Sequence, residues 1–275
     1  MLRKLIKHEF RATGRIMLPM YLVLLVTALG SNLAGRRMVG GQSDILRILG
    51  VLIVMAFAFA IGGVLVMSFV LMIQRFYKNL LQDEGYLMFT LPVSVHQHIW
   101  SKLIVSVVWF AATILAIILA SLIVAYQGGF LRELFDFIRW FFEGLQKLKI
   151  SEALNGTVYL VEIAVLIFLA MAAFSLQFYA ALAAGHSRPG RKMLWSVVCF
   201  FGFQFALQFC GSLLMITLDR LGIPHFLNRL SFDWNPSVTA AIHVGLLMAI
   251  GCVILYGAIF YAVTTFFLKK HLNLE

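Results

Sequence analysis

Six long apolar segments restrict what this chain can fold into. A helix needs about 20 mostly apolar residues to cross a hydrocarbon core of about 30 Å, and each segment is long enough to do so. Inside a bilayer the backbone must satisfy its own hydrogen bonds, which a helix does within one segment. We therefore predict an all-α, polytopic integral membrane protein with six transmembrane helices in a single transmembrane domain, residues 1–275. The predicted spans are residues 16–34, 45–74, 95–127, 158–184, 194–218 and 241–268.

The composition and the distribution of charge agree with this class. Hydrophobic residues make up 62% of the chain and charged residues 12%, whereas about a quarter of the residues in soluble domains are charged. Lys and Arg are more frequent before the first span, in the second and fourth connections and in the tail than in the other connections. The positive-inside rule therefore predicts that both termini are cytoplasmic. These basic flanks also account for most of the net charge of +10, so the charge gives no reason to expect a nucleic-acid partner.

Residues 1–15 have the pattern of an amphipathic helix on the membrane surface. One face is apolar and the opposite face is basic. Anionic lipid attracts each basic residue near the surface by about 1 kcal/mol, so membrane lipid is an expected partner. The alternative is a basic flank of the first span that is helical without a separate role. The apolar residues are Leu2, Leu5, Ile6 and Phe10, and the basic ones are Arg3, Lys4, Lys7 and Arg11.

The stretch QDEGYLMFTLP, residues 82–92, is too apolar for an ordinary solvated loop and too short to cross a membrane. The apolar run before it exceeds the length that a core of about 30 Å requires, so that helix can tilt or project into the cytoplasm. An exposed apolar patch bordered by charges usually marks a partner site. The pattern predicts a short cytoplasmic helix that Asp83 could cap; the alternative is a loop folded back on its own bundle. Pro92 and the capping box from Ser94 to Gln97 predict that the third helix begins directly afterwards.

Residues 129–152 form a second amphipathic segment, which the predicted topology places outside the cell. An apolar stripe lies opposite charged residues, and the segment is too charged to span. It could rest in the outer headgroup layer, cap the bundle or pair with a copy of itself.

Polar residues inside the spans are informative because they are costly there. Gln204, Gln208 and Ser212 share one face of the fifth span. They predict a translocation path or a dimer interface; the alternative is ordinary hydrogen bonding between helices, worth about 0.6 kcal/mol on average. Glu162 could reach water, pair with a basic partner or carry a proton. We expect packing roles for other polar residues of the spans, Gln177 and His243.

The chain carries none of the short motifs that would indicate enzymatic chemistry. It has no G-x-x-x-x-G-K-[ST] phosphate loop, no H-E-x-x-H and no G-x-S-x-G,. Its His and acidic residues do not form a metal-ligand pattern. Cys199, Cys210 and Cys252 all lie inside predicted spans and read as small buried hydrophobes. We therefore predict that this chain is not an enzyme and binds no metal or cofactor itself.

The order of these features resembles the membrane subunits of ABC-2-type transporters, particularly short bacterial permeases. The resemblance rests on FYKNLLQDEGYLMFTLPVSVHQHIWSK after a basic N-terminal helix that contains HEFRATGR. The D-E-G-Y-L-M-F-T-L-P motif is long and specific, whereas the six-span layout covers the whole chain and is less diagnostic. Residues 129–152 depart from the minimal family plan, so the family's extracellular gate is not carried over.

The resemblance implies an elbow helix at residues 1–15 and a cytoplasmic coupling segment at residues 76–92, whose short coupling helix docks on a separate cytosolic ABC ATPase. It implies that the chain is a permease subunit in a bacterial cell membrane, paired with a second permease copy. Such a transporter would export an amphipathic substrate, with ATP and Mg²⁺ bound by the partner subunit. The residues implied to bind the ATPase are Asp83, Glu84, Gly85, Tyr86, Met88 and Phe89.

The rival hypothesis is a non-transporting membrane protein. An immunity or assembly factor could bind another cytosolic partner through the same segment. The substrate, the direction of transport and the choice between a homodimer and a heterodimer are not set by the sequence.

Overall fold

The structure is a computed structural model in which six long helices follow one another along the chain. They are α1 (Leu2–Arg37), α2 (Asp44–Leu81), α3 (Val95–Ala125), α4 (Ile150–His186), α5 (Lys192–Arg220) and α6 (Val238–Lys270). All six are long and apolar enough to cross a membrane, which confirms the predicted all-α, six-span architecture. The residues described are 1–37, 44–82, 85, 87, 90, 92–126, 136, 139–140, 150–187, 190–220 and 238–270.

Helix α2 is longer than a membrane is thick. Its 38 residues give a length of about 57 Å at about 1.5 Å per residue. A bilayer including its headgroups measures about 40–45 Å, and an average tilt of about 20° shortens the helix only slightly. At least one end of α2 therefore extends beyond the bilayer.

The structure corrects the boundary predicted at residue 15. Residues 2–15 are not a separate surface helix, because α1 runs without a break from Leu2 to Arg37 and contains Pro19. The physical reason is that this segment carries side chains that bond to α3. Glu9 and Thr13 are both buried against that helix, so α1 continues along α3 where a surface helix would turn aside.

The chain divides into two compact units. The first comprises Met1–Arg75 and His96–Gly156, and the second comprises Phe76–Val95 and Thr157–Glu275. The coupling segment predicted from the sequence therefore groups with α4, α5 and α6. That the chain forms a single transmembrane domain stays a prediction.

In the first unit, α1 and α3 run parallel and bond to each other along their whole length. Tyr21 bonds to the Thr113 hydroxyl at 2.8 Å. Nearer the other end, the side-chain amide of Asn32 donates to three backbone carbonyls from Ile123 to Tyr126. Helices leave their last carbonyls without intrahelical partners, so Asn32 caps the C-terminus of α3. Between these contacts lies an apolar core contributed by all three helices: Leu24, Ala28, Phe57, Val64 and Ala120.

In the second unit, the backbones of α4 and α5 approach closely at their connection. A Cβ atom added at Gly185 would overlap the backbone N and Cα atoms of Ser196. The connection also contains Gly190 at a φ of +98°, a conformation that residues with a Cβ rarely adopt. Glycine is therefore required at both positions for this sharp reversal of the chain.

The predicted external helix at residues 129–152 lies mostly outside the described residues. Within it, Asp136, Arg139 and Trp140 are helical and exposed. Residues from Ile150 onward belong to α4, so the fourth helix begins earlier than its predicted span.

We predict that Gly185→Ala destabilises the protein strongly. The new methyl group must displace the backbone of Ser196, and such overpacking typically costs about 1–3 kcal/mol. Thermal unfolding of the purified protein in detergent measures the loss. Gly202→Ala on α5 is the matched control, because a Cβ at Gly202 meets nothing within 4 Å. Equal melting temperatures for the two variants would contradict the close approach.

Candidate functional site

The last turns of α2 are anchored on α4 by stacked aromatic rings. The rings of Phe76 and Tyr179 are nearly parallel, with an interplanar angle of 7° and centroids 4.1 Å apart. Both side chains are fully buried, as is Leu80 one turn further on. Stacked rings in a buried position add about 0.5–1.5 kcal/mol beyond the burial of their area. The segment that follows α2 therefore starts from a rigid base.

A second aromatic contact joins α2 to the C-terminal end of α4. The Tyr77 ring meets the His186 ring edge-on, at a centroid distance of 5.1 Å. The buried imidazole donates from Nδ1 to the Leu182 carbonyl at 2.8 Å, which fixes its tautomer. His186 also lies beside Ser196 of α5. The end of α2, the end of α4 and the start of α5 thus form one packed cluster.

The segment after α2 turns sharply and becomes helical again. The backbone N–H of Gly85 donates to the carbonyl of Gln82 at 2.7 Å. Gly85 is buried, whereas Leu87 and Thr90 are exposed; all three are helical. The Thr90 hydroxyl donates to the Leu87 carbonyl at 2.8 Å, as a residue in a helical turn can do. The next helix, α3, begins at Val95, directly after Ser94, as the sequence predicted.

Leu87 is the most informative described residue of this segment. Its side chain is 73% exposed, although leucine is among the residues most often buried in proteins. Leu87 was not among the predicted partner-binding residues. The sequence could have identified Leu87, because this residue lies between Tyr86 and Met88 in the same apolar motif.

The predicted partner-binding residues are described only in part. Gly85 is buried in the isolated chain, so it supports the turn of the segment and exposes little surface. The other five, Asp83, Glu84, Tyr86, Met88 and Phe89, lie outside the described residues, and their role stays a prediction.

A buried ion pair links α1 to α3. The ammonium group of Lys102 donates to the Glu9 carboxylate at 2.7 Å, with side-chain exposures of 2% and 10%. One turn along α1, the Thr13 hydroxyl accepts a hydrogen bond of 2.7 Å from the indole of Trp109. The Phe10 ring packs near the same indole, at a centroid distance of 6.0 Å. The HEFRATGR motif therefore serves to bind α1 to α3.

This ion pair borders a small cleft among α1, α2 and α3 that is lined by both polar and apolar side chains. Ser68 and Arg75 of α2 and Ser106 of α3 also line it. The cleft has room for about one or two water molecules and no larger ligand, since a site needs about 10–15 Å³ per water,. We interpret it as a small packing cavity beside the ion pair.

In the second unit, Glu162 and His243 pair inside the spans. Nδ1 of His243 lies 2.9 and 3.0 Å from the two oxygens of the Glu162 carboxylate. Tyr159 stacks on the imidazole at a centroid distance of 4.1 Å. Of the readings left open for Glu162, the structure therefore favours a basic partner. Sequence reasoning did not match it with His243, because the two residues are 81 positions apart and on different spans.

A chain of hydrogen bonds connects the three helices of the second unit. The Gln177 side chain of α4 donates to Gln204 of α5 at 3.0 Å. It also accepts from the Tyr256 hydroxyl of α6 at 2.7 Å. Gln204 belongs to the polar stripe of Gln204, Gln208 and Ser212 predicted on the fifth span, and it is thus bonded within the chain. Gln208 and Ser212 are exposed, and the Ser212 hydroxyl bonds to the Gln208 carbonyl at 2.8 Å.

No protein-family model, curated protein or solved structure matches this chain. Among the described residues, no group of three or more His, Cys, Asp or Glu side chains could hold a metal ion.

We predict that Lys102→Met destabilises the protein by about 3–5 kcal/mol, the typical cost of leaving one member of a buried ion pair without its partner. Thermal unfolding in detergent is the measurement. Lys7→Met is the matched control. Lys7 lies on α1 two residues before Glu9, and its side chain is exposed. The double variant Glu9→Leu with Lys102→Met should recover most of the loss, since it removes both charges. A Lys102→Met variant as stable as Lys7→Met would contradict a structural ion pair.

Proposed function

We propose that this chain is the permease subunit of an ATP-binding-cassette exporter. A separate cytosolic ATPase would bind the segment of residues 82–92, and two permease subunits would form the path through the membrane. The proposal combines the six-span architecture with the resemblance of the D-E-G-Y-L-M-F-T-L-P motif to the coupling segment of ABC-2-type permeases. On this proposal the termini and the coupling segment are cytoplasmic.

The observation that carries the proposal is the exposure of Leu87. An apolar side chain that is 73% exposed on a helical segment beyond the end of α2 fits a partner site better than a folded-back loop. Gly85 supports the same interpretation, because its burial orients the segment against its own unit while Leu87 points away from it.

The contacts at the base of the segment suggest how force would pass into the membrane. A push on residues 82–92 would act on the end of α2, where Phe76 and Tyr77 pack on α4. Packed elements move as units and switch between discrete arrangements. The end of α4, which contains Gly185 and His186, would therefore move with the segment.

We assign the pairing surface with a second permease copy to α5. Gln208 and Ser212 are exposed on this span, and polar side chains facing lipid are costly. Contact with a second copy would remove them from lipid and would place the polar stripe along the subunit interface, where a translocation path would also run. The stripe would then serve both of the roles predicted for it.

We predict that Leu87→Asp abolishes binding of the ATPase while the protein still folds. A carboxylate in an apolar contact must be desolvated, which costs far more than the lost methyl groups alone. The full chain is purified from its own membranes, and a co-purifying phosphate-loop ATPase is identified by mass spectrometry. Ile45→Asp is the matched control, because Ile45 is 79% exposed at the opposite end of α2.

Three outcomes separate the hypotheses. An ATPase retained by Ile45→Asp and lost with Leu87→Asp supports docking at this segment, and the variants Tyr86→Asp and Phe89→Asp should behave like Leu87→Asp. If the Leu87→Asp variant still retains the ATPase, the proposed docking at this segment is overturned. If the bound ATPase is not stimulated by the reconstituted permease, or if a partner without ATPase activity is recovered, the non-transporting immunity or assembly factor is favoured instead.

We predict that Ser212→Cys yields disulfide-linked dimers under mild oxidation in the membrane. The test variant also carries Cys199→Ser, Cys210→Ser and Cys252→Ser, so that the new thiol is the one available. The matched control retains Cys210 alone; Cys210 is exposed on the same helix but about 200° around it from Ser212, at about 100° per residue. Dimers with Cys210 and none with Ser212→Cys would contradict the proposed interface.

A further inference from the structure

In the second unit, a carboxylate and an imidazole pair between two spans, and the proposed function does not use them. Glu162 belongs to α4 and His243 to α6, and Nδ1 of the imidazole lies within 3.0 Å of both carboxylate oxygens. Ionisable residues within spans are costly, and they commonly mark ion or proton pathways. The chemistry of this pair therefore decides which ion it can hold.

The hydrogen-bond geometry determines which ring nitrogen can exchange a proton. An ionised carboxylate only accepts hydrogen bonds, so Nδ1 carries the hydrogen that faces Glu162. This bond fixes the tautomer and leaves the lone pair of the neutral ring on Nε2. Nε2 bonds to none of the described residues and is not enclosed, and 21% of the His243 side chain is exposed. Nε2 can therefore take up a second proton.

The net charge of the pair changes with that second proton. When Nε2 is protonated, the imidazolium balances the carboxylate and the pair is neutral. When Nε2 is not protonated, a single negative charge stays between the two spans, and an unbalanced charge there is costly. Tyr159 stacks on the ring at a centroid distance of 4.1 Å, and an aromatic face attracts a cation within about 6 Å. Both contacts of the His243 ring therefore suit an imidazolium.

Few other ionisable groups lie near this pair among the described residues. Tyr159 of α4 is the one that contacts the ring. On α5, Asp219 and Arg220 are exposed at the end of the helix and bond to neither member of the pair. The pair also lacks further ligands for a metal ion, since the described residues contain no group of three or more His, Cys, Asp or Glu side chains. A proton needs only the Nε2 lone pair.

We infer that Glu162 and His243 form a proton-binding site that links α4 to α6. A proton from water adds to the lone pair of Nε2, which converts the imidazole into an imidazolium and neutralises the pair. Its return to water leaves the lone carboxylate charge. The hydrogen bond from Nδ1 persists in both states, whereas the attraction between opposite charges is present only while the proton is bound. Proton uptake therefore tightens the pairing of the two helices.

The side from which the proton comes follows from the proposed topology. Glu162 and His243 both lie in the N-terminal halves of their helices, and on that topology these halves are the external ones. The site would then take its proton from outside the cell. This direction rests on the proposed function. Proton binding itself does not involve an ATPase, so the experiments below can fail without the proposed function failing, and the reverse also holds.

Nitrogen NMR measures the protonation state of His243 directly. The full chain is produced with isotope-labelled histidine and purified in detergent. The signal of His243 is identified among the seven histidines by its absence from His243→Gln, or from His243→Asn if the first variant does not fold. We expect both ring nitrogens to be protonated at about pH 5, and Nε2 alone to lose its proton as the pH is raised.

Glu162→Gln tests the role of the carboxylate. Glutamine keeps an oxygen that accepts a hydrogen bond from Nδ1 but carries no charge, so the proton affinity of His243 should fall about tenfold or more. Asp219→Asn is the matched control, because it removes an exposed carboxylate of the same unit that does not bond to the pair. The signal of His186, whose Nδ1 bonds to the Leu182 carbonyl, should be unchanged in both variants.

Thermal unfolding at several pH values measures the effect on helix pairing. A folded state that binds more protons than the unfolded chain loses stability as the pH rises. The melting temperature of the wild-type protein should therefore fall with rising pH more steeply than that of Glu162→Gln. A purely structural hydrogen bond between the two residues would give parallel pH profiles.

Two results would overturn the inference. One is a wild-type His243 with only Nδ1 protonated down to about pH 5, which would show that the pair is an ordinary hydrogen bond. The other is the same titration of His243 in the wild-type protein, in Glu162→Gln and in Asp219→Asn, which would show that the Glu162 carboxylate does not help to hold the proton.

Discussion

Lipid offers no hydrogen bonds, and this constraint decides how the helices of each unit pair. Polar side chains inside the spans must find partners within the protein. Glu162 of α4 finds His243 of α6, and Glu9 of α1, which precedes the predicted first span, finds Lys102 of α3. Apolar packing alone would allow neighbouring helices to slide past one another. These two side-chain pairs fix their register, because a shift by one turn would separate the bonded groups.

The cluster at the end of α2 adds a second kind of constraint, close packing without charge. The Phe76–Tyr179 stack and the Tyr77–His186 contact hold the end of α2 against α4. Gly185 allows the backbones of α4 and α5 to touch. The segment that presents Leu87 is therefore built on a base that resists deformation, and a load applied to it would be passed on to α4 and α5.

The number of spans and the start of α3 could be predicted from the sequence, because apolar length and the Pro92–Ser94 signal act locally. The continuity of α1 could not, since the amphipathic pattern of residues 1–15 is also what a helix needs in order to bond to α3. The partners of Glu162 and Gln177 could not be predicted from the sequence for a related reason. A sequence pattern shows that a polar residue needs a partner, but the identity of that partner depends on which distant spans pack together.

The parallel pairing of alternate spans has a consequence for how the protein is made. Lys102 lies 93 positions after Glu9, and His243 follows Glu162 by 81 positions. A ribosome therefore delivers each acidic residue well before its basic partner. Neither pair can form until the later helix of its unit has been made. The register that these pairs give to each unit is therefore set only after its last paired helix is synthesised.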